Sequence, residues 1–274
     1  MSTQLTMPMR ARRCPTAVAA TVAAALFLLA AATAGAEPTR AAAEDRLERA
    51  DATWSYEGRD FSAEYRMVQD IPGEGRSVTT AAVFRRDSGD IYTVVILEPA
   101  RDRGQGYLKQ GETLWAFDPE SGRFNTTSSR ERFQNTNARN SDFTRSTLAE
   151  DYEILSVEAV TLGRYDAWLY ELESDLPGVT YPYMKAWIAA DGRILKTEDY
   201  SRSRQLLRVT AVPEYRRVDG TQVPRQIYLI DMLEGARIDG EFVNERTVIT
   251  VTEPSFEPVP DSVFSKAFLE RMAR

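Results

Sequence analysis

The chain has 274 residues, enough for one large β domain or two small ones, with 34 basic and 41 acidic residues and a formal charge of −7. So acidic a chain is a poor partner for nucleic acid, whose phosphates need a basic surface, and for anionic lipid held by charge alone. It contains no histidine and a single cysteine, Cys14, which rules out a histidine general base and a Ser-His-Asp triad.

Residues 1–36 read as a secretory signal peptide. Arg10, Arg12 and Arg13 precede an apolar run over 17–32, and Ala34-Gly35-Ala36 supplies small residues for cleavage before Glu37. The run is too short and too rich in alanine for a comfortable membrane span. Cys14 stands before the apolar run, whereas a lipid-modified cysteine would stand at its end, so it is expected to leave with the leader. Residues 37–274 then carry 31 basic and 41 acidic residues, a net charge of −10, and no cysteine. An exported chain of this kind holds itself together by core packing rather than disulfides. Neither a His- or Cys-ligated metal, nor a cofactor, nor a catalytic centre is expected.

Residues 40–54 predict an amphipathic helix, with Ala43, Leu47, Ala50 and Trp54 spaced by three and four. From Phe61 the period changes to two: Phe61, Ala63, Tyr65 and Met67 share one face, and Ser62, Glu64 and Arg66 the other. Strands follow at 77–86 and 91–98. In the stretch 104–151, Tyr107-Leu108-Lys109-Gln110 and Thr113-Leu114-Trp115-Ala116-Phe117 flank Gly111-Glu112, a hairpin pattern. Asp118-Pro119-Glu120-Ser121-Gly122 makes a second turn, and 123–129 returns as a third strand. After a polar loop, Asn140-Ser141-Asp142-Phe143-Thr144 opens a helical pattern, predicted over 141–149. Further strands are predicted at 152–161, 164–173, 182–189, 193–200, 205–217, 221–233 and 241–252, with hairpin turns at Asp191-Gly192 and Asp219-Gly220. Asp261 or Ser262 can cap a last helix over 261–271. So many strands at close turn spacing argue for an antiparallel sheet that curls. With no repeat and no low-complexity linker, one domain over 37–274 is expected.

The Tyr107-Leu108-Lys109 hairpin, the Leu114-Trp115-Ala116-Phe117-Asp118-Pro119 strand and, about twenty residues on, Ser141-Asp142-Phe143-Thr144 with Leu148 occur in a distinctive order. Together they resemble the outer-membrane lipoprotein-sorting proteins, the LolA/LolB-like periplasmic lipid carriers. Asn140 stands where that family often has glycine. The resemblance implies a mixed α and β fold, mainly antiparallel β: an unclosed curled β-barrel with helices from 40–54, 141–149 and 261–271 covering its concave face. It also implies a periplasmic, non-enzymatic carrier of the acyl chains of lipoproteins or other envelope lipids. Such a carrier is loaded from an inner-membrane transporter and unloaded to an outer-membrane acceptor. A monomer is expected.

Strand parity nominates Tyr65, Met67, Trp115, Phe117, Trp168, Tyr170, Met184, Tyr228, Ile230 and Met232 as the lining of a lipid cavity, with Phe143 and Leu148 on a lid. Tyr228, Ile230 and Met232 alternate with Ile227, Leu229 and Leu233, so both faces of that strand are apolar and both need cover. A slip of one residue would exchange the two faces. Asp118, Glu120, Asp199, Asp231 and Glu234 are the carboxylates near turns and strand ends. A pair of them could hydrolyse a glycoside without histidine, but surface charge is the simpler account in a chain this acidic. Two function classes stay open: the lipid carrier, and a non-catalytic envelope sensor or scaffold that binds protein partners with the same sheet.

Overall fold

The computed structural model describes residues 38–56 and 58–273; the expected leader at 1–36 lies outside them. A helix, α1 (Arg40–Trp54), precedes six strands: β1 (Asp60–Ile71), β2 (Gly75–Arg86), β3 (Ile91–Glu98), β4 (Gly106–Gln110), β5 (Thr113–Asp118) and β6 (Arg123–Thr127). A long connection with the short helix α2 (Leu148–Asp151) leads to β7 (Glu153–Leu162), β8 (Tyr165–Glu173), β9 (Tyr183–Ala189) and β10 (Ile194–Tyr200). Then come β11 (Leu206–Val218), β12 (Thr221–Ile238), β13 (Glu241–Ser255) and a C-terminal helix, α3 (Lys266–Met272).

The thirteen strands form one antiparallel sheet in the order β6-β5-β4-β3-β2-β1-β13-β12-β11-β10-β9-β8-β7. The sheet is unclosed and curled, with β6 and β7 as its edges. Two meanders diverge from the β1–β13 pair, so the chain between β6 and β7 must travel from one edge of the sheet to the other. That connection, residues 128–152, crosses the inner face as a strap. It brings Phe133, Ala138 and Phe143 into the central core, where they meet Phe61, Tyr65 and Met67 of β1, Tyr92 and Val94 of β3, and Ile227 and Leu229 of β12.

The strap is not the helix predicted over 141–149. Residues Asn140–Phe143 form a single 3-10 turn, Thr144 is extended, and α2 holds only four residues. Local side-chain bonds compete with the helix here: Asp142 accepts from the Arg139 backbone N–H at 2.7 Å, and the Thr144 hydroxyl donates to the Ser141 carbonyl at 2.7 Å. Asn140 is buried, and its side-chain amide donates to the Ser128 carbonyl at 2.8 Å, closing the loop.

Helix α1 starts at Thr39, whose hydroxyl accepts from the Ala42 N–H, and buries Ala43, Leu47 and Ala50. These pack against Tyr170 and Leu172 of β8 and Ala186 and Ile188 of β9. At its far end Asp51 accepts from the Ser146 hydroxyl and from the Leu148 and Ala149 N–H groups, which ties α2 to α1.

Helix α3 does not cover the inner face. It lies on the outer one, where Leu269 packs with Val95, Leu108 and Phe117. The inner face of β3–β5 is already occupied by the strap, and the outer face is opened for α3 by a glycine: a Cβ on Gly106 would stand 2.5 Å from Leu269 Cδ2. Gly106→Ala is therefore expected to destabilise the protein by about 1–3 kcal/mol through overpacking. Urea unfolding checks this; no change in midpoint would mean that α3 yields freely.

Candidate functional site

A cavity of about 590 Å³ lies between the strap, the C-terminal end of α1 and the inner faces of β9–β13 and β1. Its volume is that of a small-molecule site, where roughly 300–1,000 Å³ is usual. The floor is apolar, made by Tyr65, Met184, Val212, Ile227, Leu229 and Ile249. Phe143 and Leu148 of the strap and Trp54 of α1 face it from above.

Polar groups hold this roof in place. Arg208 on β11 donates through Nη1 to both Asp142 oxygens, at 3.0 and 2.7 Å, and through Nε to Asp199 of β10 at 2.8 Å. One guanidinium thus joins strap to sheet through two carboxylates. Asp199 is completely buried, and burial pushes its carboxyl above the usual value, with Arg208 opposing. A second anchor lies at the β1–β13 junction. There the Asn137 N–H donates to Gln69 Oε1 at 3.2 Å and to Thr247 Oγ1 at 2.7 Å. A third lies at the end of α1: Arg85 donates to the Trp54 carbonyl at 3.0 Å and pairs with Asp87 at 2.7 Å, and both side chains are buried.

The nominated residues divide. Tyr65, Phe143, Leu148 and Met184 line the cavity. Met67 is fully buried in the central core beside it. Tyr170 lies under α1, donating to the Ala43 carbonyl at 3.0 Å, and the Arg46 guanidinium covers the Trp168 ring at 4.2 Å. Trp115 and Phe117 are on the outer face with Phe124 and α3, and the Lys266 ammonium sits 4.3 Å from the Trp115 ring centre. Ile227 and Leu229 face the cavity, so Tyr228 and Ile230 point away from it, and Met232 further along lines no part of it. Where both faces of a strand are apolar, alternation carries no information about which one turns inward.

The polar side of the cavity is absent from the nominated set. Asp199 was weighed as a catalytic carboxylate, yet it is Arg208's partner. Two more of the carboxylates weighed for catalysis, Asp118 and Asp231, also have structural work, and Glu120 and Glu234 line no part of the cavity. Asp118 accepts from the Glu120 N–H and the Ser121 hydroxyl inside its own turn. Asp231 accepts from Arg132 and from the Leu233 and Glu234 N–H groups. Among the described residues, no group of three or more carboxylates is placed to hold a metal ion.

A protein-family model described as "uncharacterized protein" matches residues 89–271. No curated protein matches the chain. Among solved structures, a LolA superfamily protein from Nitrosomonas europaea is 26% identical with a TM-score of 0.68, covering 82% of this chain and 98% of its own. An outer-membrane lipoprotein-sorting protein domain from Vibrio parahaemolyticus is 18% identical, with a TM-score of 0.70 over 83% of this chain and 98% of its own. A DUF1329 family protein from Desulfovibrio piger is also 18% identical, with a TM-score of 0.71 over 84% and 98%.

Proposed function

The chain belongs to the LolA-like, lipoprotein-sorting superfamily, and from that premise we propose that it is a periplasmic carrier that shelters acyl chains in the cavity under the strap and performs no catalysis. The observation that carries this reading is the cavity: an apolar floor roofed by a strap. Each methylene removed from water contributes about 0.8 kcal/mol, so an apolar floor in a cavity of this volume is sufficient reason for binding. The strap's ends are fixed at the sheet edges, while its middle is held by hydrogen bonds, one shared guanidinium and the buried side chains of Phe133, Ala138 and Phe143. The polar contacts can exchange with water as the strap lifts, and an entering acyl chain can replace apolar contacts of Phe143, which offers a route for loading and release without covalent chemistry.

The leader pattern at 1–36 supports export and processing near Glu37. No helix among the described residues is long and apolar enough to cross a membrane. A carrier working as a monomer between membranes needs a donor at the inner one and an acceptor at the outer one.

Titration with a fluorescent fatty-acyl probe, followed through Trp54 emission at the cavity, is expected to saturate. Leu229→Asp places a carboxylate on the apolar floor and is expected to weaken binding at least about tenfold, whereas Met232→Asp, outside the cavity, leaves it within about twofold. Absence of saturable binding in the folded wild type would end the carrier reading. It would favour the sensor or scaffold reading, which has one observation behind it: the long β12–β13 hairpin exposes Leu233, Ile238, Phe242 and Val243 at its tip.

A further inference from the structure

The cavity wall contains two buried polar atoms that make no hydrogen bond of normal geometry. β10 and β11 pair Thr197 with Thr210 and Asp199 with Arg208, and all four residues line the cavity. They make two polar rungs beside the apolar floor of Val212, Ile227, Leu229 and Ile249. Asp199 Oδ2 accepts from Arg208, but Asp199 Oδ1 makes no hydrogen bond of normal geometry although the residue is completely buried, and the Thr197 hydroxyl of the same strand eases the carboxylate only in part. On the next rung Thr210 Oγ1 is likewise buried without a partner. The remaining buried and unpaired side-chain atoms among the described residues belong to Asn137, Asn140 and Arg216, none of which lines the cavity. An unmet buried acceptor is costly, and any ligand group that meets it recovers that cost as affinity.

The chemistry of the wall selects the group. An ionised Asp199 Oδ1 can only accept, and the Thr210 hydroxyl can donate or accept. Arg208, the guanidinium at these rungs, is already divided between Asp142 and Asp199, and the other cations that line the cavity, Arg85, Lys109, Arg145 and Lys196, are paired with Asp87, Asp90, Glu150 and Glu198. An anionic head would therefore meet two carboxylates and no free cation. A group with its own N–H or O–H would satisfy Asp199 Oδ1 and Thr210 Oγ1 together.

We propose that Asp199 and Thr210 form a headgroup subsite, which makes the cavity select single-chain amphiphiles whose polar end donates hydrogen bonds, a hydroxyl or a primary ammonium, over those ending in a carboxylate. The subsite rests on the carrier reading and adds to it the end of the ligand that the protein grips. The acyl chain lies along Ile227, Leu229 and Ile249, and the head reaches the β10–β11 rungs.

Displacement of the fluorescent acyl probe at pH 7.5 by three amphiphiles of one chain length tests it: monolaurin, dodecylamine and dodecanoate. Monolaurin and dodecylamine are expected to displace the probe at concentrations at least about tenfold lower than dodecanoate. Thr210→Val keeps the branched shape and touches no contact of Arg208. It is expected to cut the advantage of monolaurin to within about threefold, leave dodecanoate unchanged, and leave the melting temperature of the empty protein equal or higher, since an unpaired buried hydroxyl is gone. Asp199→Asn is expected to abolish the preference for dodecylamine. A single donor head outranking dodecanoate would identify the group the wall takes and would still support the subsite. Equal displacement by all three heads overturns the subsite and leaves the carrier reading standing. A dodecylamine preference that survives Asp199→Asn reports only the acidic surface and also overturns it. Binding of no amphiphile, the probe included, removes the carrier reading and the subsite with it.

Discussion

Arg208→Ala is expected to cost about 3–5 kcal/mol of stability at neutral pH, because it leaves two carboxylates without their shared partner, one of them fully buried. The loss should depend on pH, and its sign follows from Asp199. Burial raises that carboxyl above its usual value of 3.8, and Arg208 opposes the rise; without the guanidinium the rise is larger. A carboxyl whose folded value lies above its unfolded one binds its proton more tightly in the folded state. Its effect is therefore to take stability away as pH climbs from about 3.8 through the folded value. The variant should be weakest against wild type near pH 7.5 and recover part of the difference by pH 5, measured by urea unfolding at both. An equal deficit at the two pH values would show that the pair is not what ties the strap. In Arg208→Met/Asp199→Asn the stranded charge is removed as well, and most of the loss should return.

Phe143→Ala should be comparably severe, at about 3–5 kcal/mol, but for a different reason. Phe143 is 2% exposed. Its ring centre is 4.6 Å from that of Phe133, 6.0 Å from Tyr65 and 6.1 Å from Tyr92. The ring is thus the junction between strap and sheet, and truncating it enlarges the cavity from above. Hydrogen exchange should rise first over residues 130–147, while the amides of β1 and β13 stay protected. Phe242→Ala, at a side chain 50% exposed, should change stability by no more than about 0.5 kcal/mol. Uniform acceleration of exchange across sheet and strap in Phe143→Ala would contradict this role.

The strand segments were legible in the sequence because period-two runs were separated by turn chemistry that permits little else, such as Asp118-Pro119-Glu120-Ser121-Gly122, Asp191-Gly192 and Asp219-Gly220. Their order in the sheet was not, since nothing local in β1 or β13 says that they pair. That arrangement came from the resemblance carried by the motifs between Tyr107 and Leu148. The inward face was readable on β1, where Tyr65 and Met67 alternate with Glu64 and Arg66. It was unreadable on β12, whose Ile227–Met232 run is apolar on both faces apart from Asp231. The apolar stripe of α3 is plain in the sequence, but a stripe does not say which side of a sheet it will meet; Gly106, a strand position with no side chain, was the available hint. The polar rungs of the cavity escaped for a similar reason. Asp199 and Arg208 are nine residues apart in the chain, and only the hairpin register makes them opposite one another.

The β1–β13 junction also sets the order in which the molecule can be built. Each of the other strand pairings joins chain neighbours, and such hairpins close within microseconds of the chain becoming free to fold. The junction instead joins residues 62–70 to residues 246–255, across roughly 180 positions of chain. Local pairing can assemble two separate half-sheets early, one on each side of the strap. Until the halves meet, β1 and β13 are open edges carrying apolar inner faces, able to pair with the wrong strand or the wrong molecule. Closure of this seam is the step of highest contact order and is expected to limit the folding rate. During synthesis the first strand to emerge must wait for the last one, so the protein's exposure to aggregation is governed by the time its whole chain takes to become available.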